Sequence, residues 1–78
     1  MVNEQALREL MASVLRVPAQ SITPDTSMDN VPSWDSLKHM NLVLALEEEF
    51  KVSIPDEDAA NITSYALIKL VLDELTGA

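Results

Sequence analysis

Cysteine is absent from this sequence, so no disulfide and no thiolate metal site can hold the chain together or do its chemistry. Glycine occurs once, against four prolines, which excludes collagen-like and low-complexity readings. Aromatic residues are equally scarce: one Trp, one Tyr and one Phe. Basic residues number five against thirteen acids, for a formal net charge of −8, and they form no cluster. A chain charged in this way is a poor partner for phosphate backbones and anionic membranes, so neither nucleic acid nor membrane is expected as a partner. Its natural complement is a protein with a basic patch. No apolar run approaches the roughly 20 residues that span a bilayer. No basic stretch followed by an apolar one opens the sequence, so no signal peptide is expected. These absences lead to the expectation of a soluble, cytoplasmic protein.

What the sequence does contain is apolar side chains in helical register. Of its 78 residues, 47% are hydrophobic, too many for a disordered tail and enough for one small domain over residues 1–78. Leu7, Leu10, Met11 and Val14 follow the i, i+3, i+4, i+7 rule with Leu15 beside them. That pattern predicts a helix from Asn3 to Arg16, capped by Asn3 and ended by Pro18, which restricts Val17. Residues 17–34 carry Pro18, Pro24 and Pro32 and many short polar residues, and read as a long loop. Ile22, Met28, Val31 and Trp34, spaced along it, suggest that it lies on the core. Asp35 to Phe50 is the strongest helix, with Ser36 or Asp35 as its cap. Pro55 at the first helical position, followed by Asp56, Glu57 and Asp58, opens a short helix over 56–61. Thr63 or Ser64 caps a last helix whose apolar stripe is Leu67, Ile68, Val71, Leu72 and Leu75, and Gly77 sits where a C′ residue belongs. The expected fold is all-α: a small four-helix bundle of three longer helices and one short helix, with a long loop between the first and second.

The second helix carries two apolar groups on different sides. At about 100° per residue, Leu42, Val43, Leu46 and Phe50 share one face, and Leu37, Met40 and Leu44 share another. A helix in a small bundle buries one such stripe, and the group with Phe50 suits the core. The other group, rimmed by Asn41, Glu47 and Glu48, then forms an exposed apolar strip of the kind that docks proteins. The alternative is that the long loop folds back and covers it. Ser36 falls in the first turn, where free backbone N–H groups and the positive end of the helix dipole favour an anion, so the position suits a phosphoester. The ordinary alternative is that Ser36 is simply a cap.

Two other constellations carry less. Asp35, Ser36 and His39 suggest a Ser-His-Asp triad, but Asp and Ser are adjacent and the His is one turn on, which does not make the triad's geometry. No catalytic activity of its own is expected. Asp25-x-Ser27-x-Asp29 begins like a calcium loop but lacks the Gly at position six and the Glu at position twelve. The acidic runs Glu47–Glu49 and Asp56–Asp58 read as solvated faces, and no resident metal is expected.

The segment Asp35-Ser36-Leu37, followed by Leu42-Val43-Leu44-Ala45-Leu46-Glu47-Glu48-Glu49-Phe50 and then Ile54-Pro55-Asp56-Glu57, closely resembles the acyl carrier proteins. The resemblance covers nearly the whole chain. It implies a prosthetic group, 4′-phosphopantetheine from coenzyme A, attached to Ser36 by a phosphopantetheinyl transferase. Asp35 would help that transferase hold its metal ion. It implies that the thiol carries acyl groups as thioesters between enzymes of a fatty-acid, polyketide or other specialised pathway. Acyl-loading and acyl-processing enzymes with basic docking patches would meet a monomeric carrier through its second helix, at Leu37, Met40, Leu44, Glu47 and Glu48. It further implies that an acyl chain can slip between the second and third helices, with Val43, Leu46, Phe50 and Ile62 expected around it. The arm supplies the reactive group that a chain without cysteine lacks.

The sequence also departs from the housekeeping pattern. Val31-Pro32-Ser33-Trp34 precedes the motif where glycine is usual, Lys38 and His39 follow it, and Asn41 stands where an acid is common. Because rim charges tune partner choice, these changes suggest a specialised carrier. Two alternatives stay open: an aminoacyl or peptidyl carrier, and an unmodified helical module that docks through the second helix.

Overall fold

The computed structural model describes residues 3–77. Four helices follow one another: α1 (Glu4–Leu15), α2 (Ser36–Phe50), α3 (Asp56–Asn61) and α4 (Tyr65–Leu75), with a 3-10 turn at Ala19–Ser21 in the long connection. This is the expected all-α bundle of three longer helices and one short one.

Each long helix starts on a side-chain cap. Asn3 accepts from the Gln5 and Ala6 N–H groups at α1, Asp35 from Lys38 at α2, and Ser64 from Leu67 at α4. Of the alternatives left open by the sequence, Asp35 and Ser64 are the caps. At α3, Pro55 is the capping residue and Asp56 the first helical one, a shift of one position from the expected proline at N1. The three acids of α3 still fall in its first turn, where the dipole favours them. Pro18 does not end α1. Arg16 does, by taking a left-handed conformation (φ 59°), and Val17 N–H then reaches back to Ala12 O. Lys51 ends α2 in the same way (φ 55°), with Val52 N–H on Glu47 O.

The core is a single cluster. Leu7, Met11 and Leu15 come from α1, Leu42 and Leu46 from α2, and Tyr65, Ile68 and Leu72 from α4. Ile54 and Ile62 flank α3 and are also buried. The stripe expected on α4 is rotated: Leu67 and Leu75 are exposed, and Tyr65 takes the buried place. Tyr65, Ile68 and Leu72 are spaced three and four residues apart and so share one face, which is the one turned inward.

The connection between α1 and α2 is laid on this core, as its apolar residues suggested. Ile22 and Trp34 are buried, and Met28 and Val31 pack against the cluster. Thr26, also buried, accepts from Thr23 N–H and donates to Ser21 O, so its hydroxyl is satisfied. Tyr65 N–H donates to Thr26 O and Met28 N–H to Thr63 O, which pins the middle of the loop to the start of α4. Ser33 Oγ donates to Leu15 O at 2.7 Å and satisfies a carbonyl at the end of α1.

Tyr65 closes the bundle from the other side. Its hydroxyl donates to Glu4 Oε1 at 3.0 Å, joining the first turns of α1 and α4. Burial, and then the bond to the Glu4 carboxylate and its charge, raise the phenol above its ordinary value of 10.0, while Arg8 pulls the other way. The folded protein therefore keeps this proton to higher pH than the unfolded chain. The stabilisation is complete below the unfolded value and is lost as pH rises through the folded one. Tyr65→Phe should cost about 1 kcal/mol at neutral pH. It should also lack the part of the alkaline loss of stability that the phenol causes, as read by urea unfolding at neutral and alkaline pH.

Candidate functional site

Burial of Leu42 and Leu46 sets the rotation of α2. Leu37, Met40 and Leu44 then face solvent, at 68%, 65% and 60% exposure. The long loop packs elsewhere and does not cover them. Val43 and Phe50, expected in the core stripe, are half-buried at its edge.

Ser36 is the first helical residue of α2 and is exposed. Among the described residues its hydroxyl has no hydrogen-bond partner. Asp35 Oδ1 takes the Lys38 N–H at 2.9 Å, and the Ser36 and Leu37 amides lie in the same first turn. A hydroxyl that is not committed to capping, at the positive end of a helix and open to solvent, fits attachment of a phosphodiester. The neighbouring carboxylate is already engaged as a cap.

His39 is not aimed at Ser36. Its Nδ1 accepts from Trp34 Nε1–H at 3.1 Å, and its Nε2 meets Ala59 O at 2.7 Å. The two rings stack with centroids 6.1 Å apart. With both ring nitrogens engaged elsewhere, Asp35, Ser36 and His39 do not form a triad.

A cleft of about 350 Å³ opens beside the exposed strip, between α2 and α3. Met40, Val43, Leu44, Ile54, Ala59 and Ala60 make its apolar wall, with His39, Glu47 and Asp56 completing it. Of the residues expected around an acyl chain, Val43 lines this cleft. Leu46 and Ile62 are fully buried in the core, Phe50 packs at the end of α2, and none of these three lines it. The sequence pattern pointed to the deep stripe of α2, whereas the opening lies on its shoulder. Ala59 and Ala60 were not expected in this lining because small residues on a short acidic helix give no periodic signal, and Ile54 was not because it lies in the irregular segment before that helix.

The charges fall unevenly on this face. Glu47 turns inward, and its Oε2 accepts the Ile54 N–H at 2.8 Å. Glu48 and Glu49 are exposed and make no hydrogen bond or ion pair among the described residues. All three sit near the negative end of the helix dipole, which disfavours them. Only Glu47 has a structural use there. That mismatch was visible in the sequence.

Residues 5–71 match a family model described as the phosphopantetheine attachment site. The chain belongs to the phosphopantetheine-binding acyl carrier protein family. Its prosthetic group is 4′-phosphopantetheine. The solution structure of the holo acyl carrier protein from Geobacter metallireducens is similar: 25% of residues are identical, the TM-score is 0.82, and the match covers 92% of this carrier and 83% of that chain. No helix among the described residues is long and apolar enough to cross a membrane.

The Glu47 bond ties α2 to the segment that precedes α3. Glu47→Ala leaves the Ile54 N–H without its acceptor and should cost about 1–3 kcal/mol. Glu47→Gln keeps an acceptor oxygen and should recover most of that. Urea unfolding and exchange of the Ile54 amide read both variants.

Proposed function

We propose that this protein carries acyl intermediates on a phosphopantetheine arm attached to Ser36 and delivers them, as one carrier domain, to the enzymes of a specialised pathway. The single observation that carries this reading is the exposed, unpartnered Ser36 hydroxyl at the first turn of α2, directly beside an uncovered apolar strip. When attached, the group supplies a thiol on a long flexible arm, which holds acyl groups as thioesters. The chain's own residues do the rest. Asp35 anchors the first turn through Lys38 N–H and keeps its second oxygen for the metal ion of the modifying transferase.

Leu37, Met40 and Leu44 form the apolar centre of a docking face, and Glu47, Glu48 and Glu49 stand at one end of it. An apolar centre supplies affinity, and rim charges steer a cationic partner and set the association rate. Lys38, His39 and Asn41 make the opposite end less negative, which favours a dedicated partner set over a housekeeping one. The cleft between α2 and α3 takes the acyl chain, and each CH₂ buried there contributes about 0.8 kcal/mol, so longer chains gain more by entering.

Attachment is tested by incubating the unmodified protein with coenzyme A and a broad-specificity transferase. The protein should gain the mass of one phosphopantetheine, and Ser36→Ala should gain none. A Ser36→Ala protein that is still modified would overturn the assignment.

Docking is tested in folded, modified variants with an acyl-loading enzyme. Met40→Ala should lower kcat/KM by about fivefold or more, the size of a truncated interface-core residue. Arg8→Ala on α1 should leave it nearly unchanged. Equal losses in the two variants would remove α2 as the docking face.

A further inference from the structure

α3 is the least anchored element of this fold. It is six residues long, buries none of its own side chains and has no side-chain cap at its start. Its C-terminal end is unusual. Ile62 adopts φ −83° and ψ 65°, an inverse γ-turn, and Thr63 N–H turns back to Asn61 O. The amide that would ordinarily reach Ala59 O is thereby diverted. Ile62 N–H is taken by Asp58 O. Ala59 O is left as an orphan helix carbonyl, and the group that satisfies it is His39 Nε2, from α2.

A carbonyl only accepts, so Nε2 carries the proton. Nδ1 is then the acceptor that Trp34 Nε1–H requires, and the bond at 3.1 Å meets that demand. The buried Trp34 thus fixes the imidazole tautomer, and the tautomer aims the single N–H at α3. His39 and Ala59 both line the α2–α3 cleft, so this bond ties one wall of the cleft to the other. We propose that His39 is a positioning residue that clasps α3 across the cleft, and that release of this clasp admits the acyl chain. The second half rests on the cleft being where a chain enters. The clasp itself does not.

His39 and Trp34 are the one His and the one Trp of the chain, so their ring resonances need no further assignment. In the unloaded protein, nitrogen-resolved spectra of the imidazole should show the proton on Nε2, together with a slowly exchanging Trp34 indole N–H. His39→Ala should lower the exchange protection of the Ala59 and Ile62 amides by about five- to tenfold, with the Leu15 and Leu46 amides unchanged. The two amide variants separate the clasp from simple packing. His39→Gln puts an N–H donor where Nε2 stood and should restore most of the α3 protection. His39→Asn mimics only the Nδ1 position and should not. A proton found on Nδ1, or Gln and Asn variants that behave alike, would overturn the clasp. Octanoyl loading then tests the gating. It should raise Tm more in His39→Asn than in the natural protein, because no clasp has to be released there. Equal rises would overturn gating and leave the clasp standing. No rise in either would remove the cleft as the chain's site, and the gating with it.

Discussion

The burial of Leu42 and Leu46 in the core that they share with residues of α1 and α4 is the constraint on which the functional face depends. Both side chains are fully buried, and together they fix the rotation of α2 about its own axis. With about 100° between successive residues, that rotation decides the direction of every other side chain on the helix. Leu37, Met40 and Leu44 are turned to solvent, His39 and Val43 to the shoulder beside α3, and Ser36 outward at the first turn. A turn of α2 by about half a revolution would bury the strip and expose Leu42 and Leu46 instead. The site therefore needs no special local device at Ser36. It needs a core that leaves α2 no other orientation.

α3 obeys a different constraint. A six-residue helix with no buried side chain cannot hold itself in place by the hydrophobic effect, and isolated helices of that length do not form in water. Ile54 and Ile62, just outside its two ends, are buried and act as its pegs. Hydrogen bonds from α2 complete the attachment: Glu47 accepts the Ile54 N–H before the helix, and His39 meets Ala59 O near its end. An element held by two pegs and two hydrogen bonds is far cheaper to displace than one that contributes to the core. In the proposed function, that suits it to be the moving wall of the cleft that admits the acyl chain.

The charge distribution has no structural explanation of the same kind. The acids of α3 lie at its favourable end, but Glu48 and Glu49 lie at the unfavourable end of α2 and engage no described residue. Lys69 and Asp73 pair on α4 at 3.2 Å, away from this face, and so do not relieve it. In the proposed function the unrelieved negative charge is what a basic partner neutralises, and the apolar strip beside it is what that partner covers. The two features are unfavourable alone and complementary in a complex.

The sequence by itself determined the helices and most of their caps, because amphipathic spacing and capping chemistry are local. It also determined that one apolar group on α2 had to stay outside, since a helix in a small bundle buries a single stripe. Ser36 at a helix start was legible for the same local reason. The sequence placed the end of α1 at Arg16 but not the way it ends, because Arg16 takes a left-handed conformation that nothing in its side chain announces. It read only part of the α4 stripe: Ile68 and Leu72 are buried as expected, but the rotation of the helix in the bundle buries Tyr65 and leaves Leu67 and Leu75 exposed. The cleft and its His39–Ala59 closure were decided by tertiary structure alone. They depend on a γ-turn at Ile62 that leaves one carbonyl unpaired, and on a loop tryptophan that reaches α2 only once the chain has packed. Contacts between residues 20 positions apart, such as His39 with Ala59, leave no periodic trace in the sequence. They exist because the core has already brought α2 and α3 side by side.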